Sequence, residues 1–435
     1  MNKRISLFPY GSVINAANHL SIGGCDVVEL ASKYGTPLYL FDEQTLRRRC
    51  CEFKSEFGKR YVNTTVVYAS KAFLHTAMAS LLRDEGLGMD VVSGGELHIA
   101  ETAGFPMDMV YFHGNNKSTD ELNMALKRRV GRIVVDNLDE LRTLAVLAQE
   151  NGCIQDILLR VTPGVDAHTH SHIATGGVSS KFGFPLNSVE AGISCAMSLP
   201  SINLIGLHFH IGSLIGETEP YLAAIDVVLE LASDMHKKYG FELHELNVGG
   251  GYAVPYVVGD EIPEIAYYAE QITGRIVAKC QFLDMALPKL VIEPGRSIVA
   301  QAGVALYRVG HIKDVGGQVR YVAVDGGMAD NIRPAFYSAR YEAVLANRMD
   351  EKDTDTVTIA GRFCESSDIL VRDIKLPPVN TGDIIAVPVC GAYCLPMASN
   401  YNAVLKAPIV MVSDGLDRLI RRRETYQDLT HCDLP

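Results

Sequence analysis

The sequence predicts an α/β plus β chain, with a (β/α)8 barrel of the TIM type and a second, mostly β domain of the β-sandwich or Greek-key barrel kind. Between residues 64 and 296, eight short runs rich in β-branched residues alternate with longer helical stretches. That alternation is typical of right-handed βαβ units that build a parallel sheet. Eight units within ~230 residues fit a closed barrel better than an open, doubly wound sheet. After residue 304 apolar and polar residues nearly alternate, which predicts antiparallel strands.

Stretches with helical character separate the eight predicted barrel strands. Two of these stretches begin with a serine that precedes a glutamate by three residues, Ser93 with Glu96 and Ser118 with Glu121. A serine in that position can cap the first turn of a helix. The predicted strands are Thr65–Ser70, Met89–Val92, Val110–His113, Ile133–Asp136, Ile157–Val161, Leu204–Ile211, Leu243–Val248 and Leu290–Glu293.

Strand signals outside the barrel lie on both sides of it in the chain. Residues 36–42 predict a strand, and DEQTLRRRCCEFKSEF after it predicts a helix. YRVGHIK and VRYVAVD flank a DVGG turn and predict a hairpin. TDTVTIAGRF, DILVRDIKL, DIIAVPV and APIVMVSD continue the strand pattern, and RLIRRRETYQDL predicts a charged helix. These signals assign residues 44–304 to the barrel and residues 1–43 with 305–435 to the β domain.

The composition of the chain argues against several classes of function. The chain has 435 residues, and its 40 Lys and Arg against 51 Asp and Glu give a net charge of −11. We expect no nucleic-acid or membrane partner, because phosphate-rich surfaces are bound through clustered Lys and Arg. We expect neither a transmembrane stretch nor a secretory leader, since Pro200 and Asn203 interrupt the longest uncharged segment and no apolar core follows MNKRISLFPYGSV. Ten cysteines without a C-x-x-C pair predict reduced thiols and a cytoplasmic protein.

Polar residues collect directly after the predicted strands. In barrel enzymes the chemistry lies at the C-terminal ends of the strands. A single polar residue at the start of a loop carries little weight, whereas a set at successive strands indicates an active site. The set is Lys71, Ser93, Asn115, Asp136, Arg160, Ser213, the glycines 249–251 and Arg296.

Two histidines on the sixth predicted strand allow a competing interpretation. His208 and His210 lie two residues apart, so both side chains point to the same side of a strand. Such a pair binds zinc in barrel hydrolases, but there it lies on the first strand, and no H-E-x-x-H pattern accompanies it here. We therefore expect no metal site. The same holds for His168, His170 and His172, in a loop rich in Thr, Ser and Gly.

Ten motifs occur in one order along the chain: VVYASKAF, DVVSGGEL, YFHGNNKS, PGVDAHTHSHIATGGVSSKFGF, GLHFHIGS, NVGGGY, EPGRS, IRPAFY, CESSD and GAYCLPMASNYN. Over residues 30 to 425 this set resembles the diaminopimelate decarboxylase family, pyridoxal 5'-phosphate enzymes with an alanine-racemase-like barrel and a β domain. The resemblance implies decarboxylation of meso-2,6-diaminopimelate to L-lysine and CO2, the last step of lysine biosynthesis. It also implies a homodimer with shared active sites.

Three features of the sequence suit that cofactor. Lys71, at the end of an apolar strand, offers an amine for a Schiff base, and Glu293 offers a carboxylate that keeps a pyridine nitrogen protonated. The glycine run 249–251 follows a strand and suits a phosphate. The resemblance implies these three roles and places His210 against the cofactor ring. The further cofactor contacts that it implies are Ser213, Gly250, Gly251, Gly295, Arg296 and Tyr393.

Diaminopimelate carries a second ammonium-carboxylate centre, far from the reacting one. An arginine fork suits that carboxylate, and an acidic side chain suits that ammonium. The resemblance implies that Cys364 is a catalytic proton donor beside Lys71, in CESSD where relatives more often read CESGD. Asp90, Glu96 and Arg160 are interpreted as an ion-pair network around the lysine. The substrate-binding residues that the resemblance implies are Arg296, Arg333, Tyr337, Glu365 and Tyr393.

Three alternatives remain at this point. A basic amino-acid decarboxylase of the same fold, acting on ornithine or arginine, binds a distal cation and needs carboxylates where Arg333 lies. A metal-dependent barrel hydrolase would use His208 and His210. A regulatory protein could hold pyridoxal phosphate without catalysis.

Overall fold

The computed structural model describes residues 3–165 and 180–434. The chain divides into two compact units. The barrel unit contains Cys50–Ala253 and Ile262–Gly295. The β unit contains Met1–Arg49, Val254–Glu261 and Arg296–Pro435.

Eight parallel strands close into a ring in the barrel unit. Each strand pairs with the next one along the chain, and Lys289–Ile292 pairs with Thr64–Ala69 to complete the ring. This confirms the predicted (β/α)8 barrel. The strands are Thr64–Ala69, Gly88–Val91, Val110–Phe112, Arg132–Val135, Gln155–Thr162, Ile202–His208, Glu245–Asn247 and Lys289–Ile292.

Apolar side chains from different strands fill the interior of the barrel. One layer consists of Val67, Tyr111, Val134, Leu158 and Val291, all buried. Because such a layer leaves no channel, a ligand of the barrel has to bind at the ends of the strands, in the loops that follow them.

Helices return the chain from each strand to the next. The predicted helix starts are confirmed: Ser93 Oγ accepts the N–H of Glu96 at 3.2 Å, and Ser118 with Glu121 forms a reciprocal capping box. No helix among the described residues is long and apolar enough to cross a membrane. The helices are Thr76–Asp84, Gly94–Thr102, Thr119–Lys127, Leu138–Glu150, Leu186–Ser198, Glu219–Tyr239 and Ile265–Phe282.

The β unit is built on one nine-stranded sheet, which confirms the second, mostly β domain. Gly303–Val315 and Val319–Val324 form the predicted hairpin, and Leu38–Asp42 is the predicted N-terminal strand, followed by the predicted helix Glu43–Gly58. The other strands are Val344–Leu345, Asp355–Ala360, Ile369–Leu376, Ile384–Val387, Ile409–Ser413 and Leu416–Arg421. Shorter elements are the strands Val13–Ile14, Leu20–Ile22 and Cys25–Asp26 and the helices Val27–Tyr34, Arg296–Val299, Arg333–Tyr337 and Tyr426–Thr430.

The predicted charged helix at residues 418–429 is wrong. Leu416–Arg421 is a strand that pairs antiparallel with Ile409–Ser413, and only Tyr426–Thr430 is helical. Asp414 and Gly415 take positive φ angles of 52° and 77° and reverse the chain tightly. The backbone ladder with a buried neighbour therefore outweighs the helix propensity of the arginines.

Candidate active site

A cavity of about 320 Å³ lies at the C-terminal ends of the barrel strands. Its volume is within the range of small-molecule and cofactor sites. Most of the residues that line it have polar side chains and lie near the end of a strand or in the loop after it, and Lys71, Asn115 and Arg160 belong to the polar set that the sequence indicates. The lining residues are Lys71, Asp90, Val92, His113, Gly114, Asn115, Arg160, Phe182, His208, His210 and Glu293.

Lys71 lies in a short turn of 3-10 helix, Ser70–Ala72, directly after the first barrel strand. The strand residues Val66–Ala69 are buried, whereas Lys71 itself is exposed toward the cavity. The N–H of Ser70 donates to Asp90 Oδ1 at 3.1 Å, which ties the turn to the second strand. The backbone at Lys71 is therefore anchored, and its amine remains open to a ligand.

The Glu293 carboxylate is buried and contacts three side chains. Asn247 Nδ2 donates to Oε1 at 2.7 Å, His208 Nε2 lies 3.3 Å from Oε2, and His113 Nε2 lies 2.9 Å from Oε1. Burial raises the pKa of Glu293, but His113 and His208 outweigh it and hold that pKa well below its ordinary value. Burial lowers the pKa of His208 to about 4, so its ring is neutral. The Glu293 carboxylate is therefore ionised.

His210 lies two residues beyond the sixth strand. Its Nδ1 accepts the N–H of Gly250 at 3.2 Å, and burial lowers its pKa well below the ordinary value. The ring is therefore neutral and fixed in direction. A Cβ at Gly250 would lie 2.0 Å from the carbonyl oxygen of Glu293, so close backbone packing requires glycine there.

Ser213, Gly251 and Gly295 lie near the same strand ends, but they are not among the described residues that line the cavity. Gly251 has a φ of 114°, and a Cβ there would meet the carbonyl oxygen of Gly212 at 2.5 Å. A Cβ at Gly295 would lie 2.8 Å from Ala69 Cβ, so Gly295 lets this loop pack on the end of the first strand. Both glycines have a packing role in addition to the proposed cofactor contact.

Two acidic groups near Lys71 have raised pKa values. Burial raises the pKa of Asp90 to about 6, and burial together with the charge of Asp90 raises the pKa of Glu96 to about 7. Asp90 and Arg160 line the cavity with Lys71, but within the described ranges none of these groups lies within 4.0 Å of the lysine amine as an ion pair. Asp90 binds the backbone of Ser70, and Glu96 accepts the N–H of Val92 at 2.7 Å.

Glu96→Gln is expected to make the protein more stable at alkaline pH. An acid whose folded pKa is raised contributes stability at low pH, and that contribution is lost as pH rises through the folded pKa. With the pKa of Glu96 at about 7, the melting temperatures of variant and wild type should agree near pH 5. Above pH 8 the variant should melt about 2–4 °C higher. Thermal unfolding from pH 5 to 9 measures this; a constant difference across that range would contradict it.

In the β unit, two buried arginines pack against tyrosine rings. Arg296 Nη1 donates to Tyr256 Oη at 2.7 Å, and its guanidinium lies 4.6 Å from the ring centre of Tyr393. The Arg333 guanidinium lies 4.6 Å from the Tyr256 ring centre and donates to Tyr341 Oη. Arg333 is 3% exposed, and in the described part of the chain it has no carboxylate within 4.0 Å. A buried cation without a counter-ion is suited to an anionic ligand.

The other residues predicted for catalysis and substrate binding in this unit lie nearer the surface. Cys364 is exposed, and its N–H donates to Asn402 Oδ1 at 3.0 Å. Glu365 is exposed and accepts the N–H of Ser366 at 3.1 Å. Tyr337 is half-buried at the end of the helix Arg333–Tyr337, with its ring 4.7 Å from that of Phe336. Cys364 and Glu365 are thus accessible to a ligand or to a second chain.

Sequence reasoning missed three contacts of Glu293. His113 and Asn247 lie in the motifs YFHGNNKS and NVGGGY, for which the sequence indicates no role of these two residues, and His208 enters the sequence analysis only as a possible zinc ligand. The available signal was their position at strand ends, which the topology brings to one cavity wall. His168, His170 and His172 lie outside the described residues.

Comparison with known proteins identifies the family of the chain. A family model described as pyridoxal-dependent decarboxylase, pyridoxal binding domain, matches residues 43–300. The diaminopimelate decarboxylase of Bacillus subtilis is 47% identical over 423 residues, 97% of this chain and 96% of its own. The crystal structure of the M. jannaschii diaminopimelate decarboxylase in co-complex with L-lysine matches with a TM-score of 0.91 at 35% identity, over 98% of both chains.

A further solved structure is similar over most of the chain. The Helicobacter pylori diaminopimelate decarboxylase complexed with L-lysine has a TM-score of 0.86 at 32% identity, and the match covers 93% of this chain and 98% of that one. Near-complete coverage at these identities shows that the chain belongs to the same family as these proteins and does not merely share their fold. The chain belongs to the diaminopimelate decarboxylase family of pyridoxal-dependent decarboxylases.

Proposed function

We propose that this protein removes CO2 from meso-2,6-diaminopimelate at its D-configured centre, giving L-lysine in the last step of lysine biosynthesis. One observation carries the proposal. In a chain of this family, the amine of Lys71 and the ionised carboxylate of Glu293 line one cavity of about 320 Å³. An amine and a stable anion in the same cavity are the groups that a pyridoxal enzyme requires.

The residues of the barrel unit fit pyridoxal phosphate. Lys71 offers a primary amine, Glu293 an anion for the ring nitrogen, and His210 a neutral ring fixed by Gly250. His208 Nδ1 is a buried polar atom without a hydrogen-bond partner in the described ranges, as is common where a polar ligand or water belongs. We propose that the barrel, residues 44–304, binds the cofactor with Ser213, Gly250, Gly251 and Gly295 as further contacts.

The protein's own groups divide the chemical work. Pyridoxal phosphate, when bound, supplies a conjugated ring that takes up the electron pair left by CO2. Lys71 holds the cofactor through its amine, and Glu293 keeps a negative charge for the ring nitrogen. His210 offers a flat, uncharged face to an aromatic ring. The apolar layer beneath the cavity excludes water from below, which strengthens each of these electrostatic contacts.

We propose that residues 1–43 and 305–435 form the domain that recognises the distal end of the substrate. Arg333, a buried cation without a carboxylate partner in the described chain, suits the distal carboxylate, and the exposed Glu365 suits the distal ammonium. Tyr337, Tyr393 and also Arg296, which lies outside these two ranges, complete the set. Binding at that end orients the reacting carboxylate, so that remote contacts lower the barrier at the other end.

Cys364 or Lys71 returns a proton to the carbon that loses CO2. Both groups carry a transferable proton, and both are exposed, so each can approach a ligand. Cys364→Ala distinguishes them, because a rate of L-lysine formation ~10²-fold or more below that of wild type assigns this step to the thiol.

The substrate is tested by measuring CO2 release from meso-diaminopimelate beside ornithine and arginine. We expect turnover of the first at a kcat/KM at least ~100-fold above that of either other substrate, since a buried arginine repels their distal cations. Equal turnover of ornithine would favour the basic amino-acid decarboxylase. Full activity without pyridoxal phosphate, and its loss on chelation of zinc, would favour a metal hydrolase.

We further propose a homodimer in which Lys71 of one subunit and Cys364 of the other serve one active site. An equal mixture of Lys71→Ala and Cys364→Ala chains, unfolded and refolded together, should recover about a quarter of wild-type activity, because half the dimers are hybrids with one intact site each. Each variant refolded alone is the control. A mixture as inactive as its components, with hybrids demonstrated by mass, would exclude shared sites.

A cytoplasmic location is also proposed. The support is that all ten cysteines are free thiols, the state that a reducing compartment maintains.

A further inference from the structure

Two histidines from different strands hold the Glu293 carboxylate from two sides. His208 ends the sixth strand and His113 directly follows the third. Their rings meet edge to face, with centroids 4.8 Å apart and an interplanar angle of 71°. Each therefore fixes the direction of the other, and both present Nε2 to the carboxylate.

Within the described ranges, the Glu293 carboxylate is the one polar group that the Nε2 atom of His113 approaches. The residue is 5% exposed, and among the described residues this nitrogen has no hydrogen-bond partner apart from its 2.9 Å approach to Glu293 Oε1. Burying a polar atom without a partner lowers the stability of the folded protein. Because the Glu293 carboxylate is the one group within reach of His113 Nε2 in the described residues, we conclude that the two interact specifically.

The backbone around His113 is fixed by the barrel. Its N–H donates to the carbonyl of Val91 at 2.8 Å, in the neighbouring strand. The loop that follows is held by Lys117, whose Nζ donates to the carbonyl of Gly114 at 2.7 Å and lies 2.8 Å from Glu140 Oε1, a buried ion pair. These contacts fix the backbone from which the imidazole of His113 reaches Glu293.

We infer that His113 is a positioning residue that orients the Glu293 carboxylate toward the ring nitrogen of pyridoxal phosphate. The inference rests on the proposed function, since it assigns Glu293 to that nitrogen. Asn247 and His113 share Oε1 and His208 contacts Oε2, so the three together allow one orientation of the carboxylate. The other titratable groups that act on Glu293, or on which it acts, are Asp90, Tyr111, Arg160, His210 and Tyr252.

The test measures how tightly the apo-protein binds pyridoxal phosphate and how tightly it binds an analogue that lacks the ring nitrogen. Wild type, His113→Phe, His113→Gln and Glu293→Gln are titrated with pyridoxal phosphate and with its deaza analogue, in which carbon replaces that nitrogen. His113→Phe should weaken the affinity for pyridoxal phosphate about 10-fold or more, the value of a charge-assisted contact, and leave that for the analogue unchanged. His113→Gln, which keeps an N–H donor, should recover most of the loss.

A double-mutant cycle isolates the path through Glu293. In the Glu293→Gln background, His113→Phe should have no further effect on the affinity for pyridoxal phosphate. His244→Phe is the matched control, since it makes the same change at an exposed residue next to the N-terminal end of the seventh strand. Should His113→Phe not fold, His113→Asn, whose amide is too short for the contact, replaces it.

Two results would overturn the inference, and they differ from failure of the proposed function. Equal weakening for both cofactors, or effects that add in the double variant, would show that His113 only supports the fold. If Glu293→Gln itself binds both cofactors as wild type does, the proposed role of Glu293 fails and with it the inference. If Glu293→Gln discriminates but His113→Phe does not, only the inference fails.

Discussion

Lys71→Ala is expected to lower kcat by ~10⁴-fold or more, the scale seen when a covalent catalyst is removed. The amine lines the cavity with Glu293 and His210, and no other described lysine lines that cavity. The variant should still fold, because Lys71 is exposed and the turn around it is held by the backbone contact between Ser70 and Asp90. Activity, visible absorbance and covalent retention of the cofactor after borohydride reduction are the measurements.

Lys71→Arg is the control for charge. It keeps a cation in the cavity but removes the primary amine, so it should be as inactive as Lys71→Ala while binding an anionic cofactor more tightly. If the Lys71→Ala protein keeps full turnover, or keeps the cofactor covalently bound after borohydride reduction, another group holds the cofactor.

Arg333→Met is expected to lower kcat/KM for diaminopimelate by about 100-fold or more, since it removes a charge-assisted contact with a carboxylate. The same change should leave the melting temperature equal or higher. Arg333 is buried with no carboxylate within 4.0 Å in the described ranges, and replacing such a charge by an apolar side chain of similar length is often neutral or stabilising. Tyr341 Oη keeps Cys394 Sγ, 3.7 Å away, as a partner.

A lower kcat/KM together with an equal or higher melting temperature distinguishes a role of Arg333 in substrate recognition from a structural role. Arg340→Met makes the same substitution at an exposed arginine of the β unit and should change neither quantity. Steady-state kinetics and thermal unfolding on the same preparations provide both values. A fall in melting temperature of several degrees, in proportion to the loss of activity, would mean that Arg333 supports the unit and does not serve the substrate.

The barrel could be predicted because its signals are local. Each strand is a short run of β-branched residues, and each capped helix shows its serine and glutamate in the sequence, as Ser93 with Glu96 does. The wrong prediction of a helix at residues 418–429 has a tertiary cause. Local propensity favours a helix there, but a partner strand, Ile409–Ser413, offers a full backbone ladder.

The candidate site was predictable only in part. Lys71, His210 and Glu293 were identified by residue type, position near the end of a predicted strand and family resemblance, and the structure brings them to one cavity. The role of His113 was not visible, because 180 residues of chain separate it from Glu293 and only closure of the ring places them 2.9 Å apart.

The sequence by itself determined the order of strands and helices in the barrel, the chemical groups at the strand ends and the family. Only the tertiary structure decided which of those groups touch, which are buried and what charge they carry. The physical reason is that contact and burial depend on the distance between segments remote in the chain. The sequence does not show that Asp90 and Glu96 are buried near other acidic groups, and burial together with those neighbouring charges raises their pKa values to about 6 and about 7.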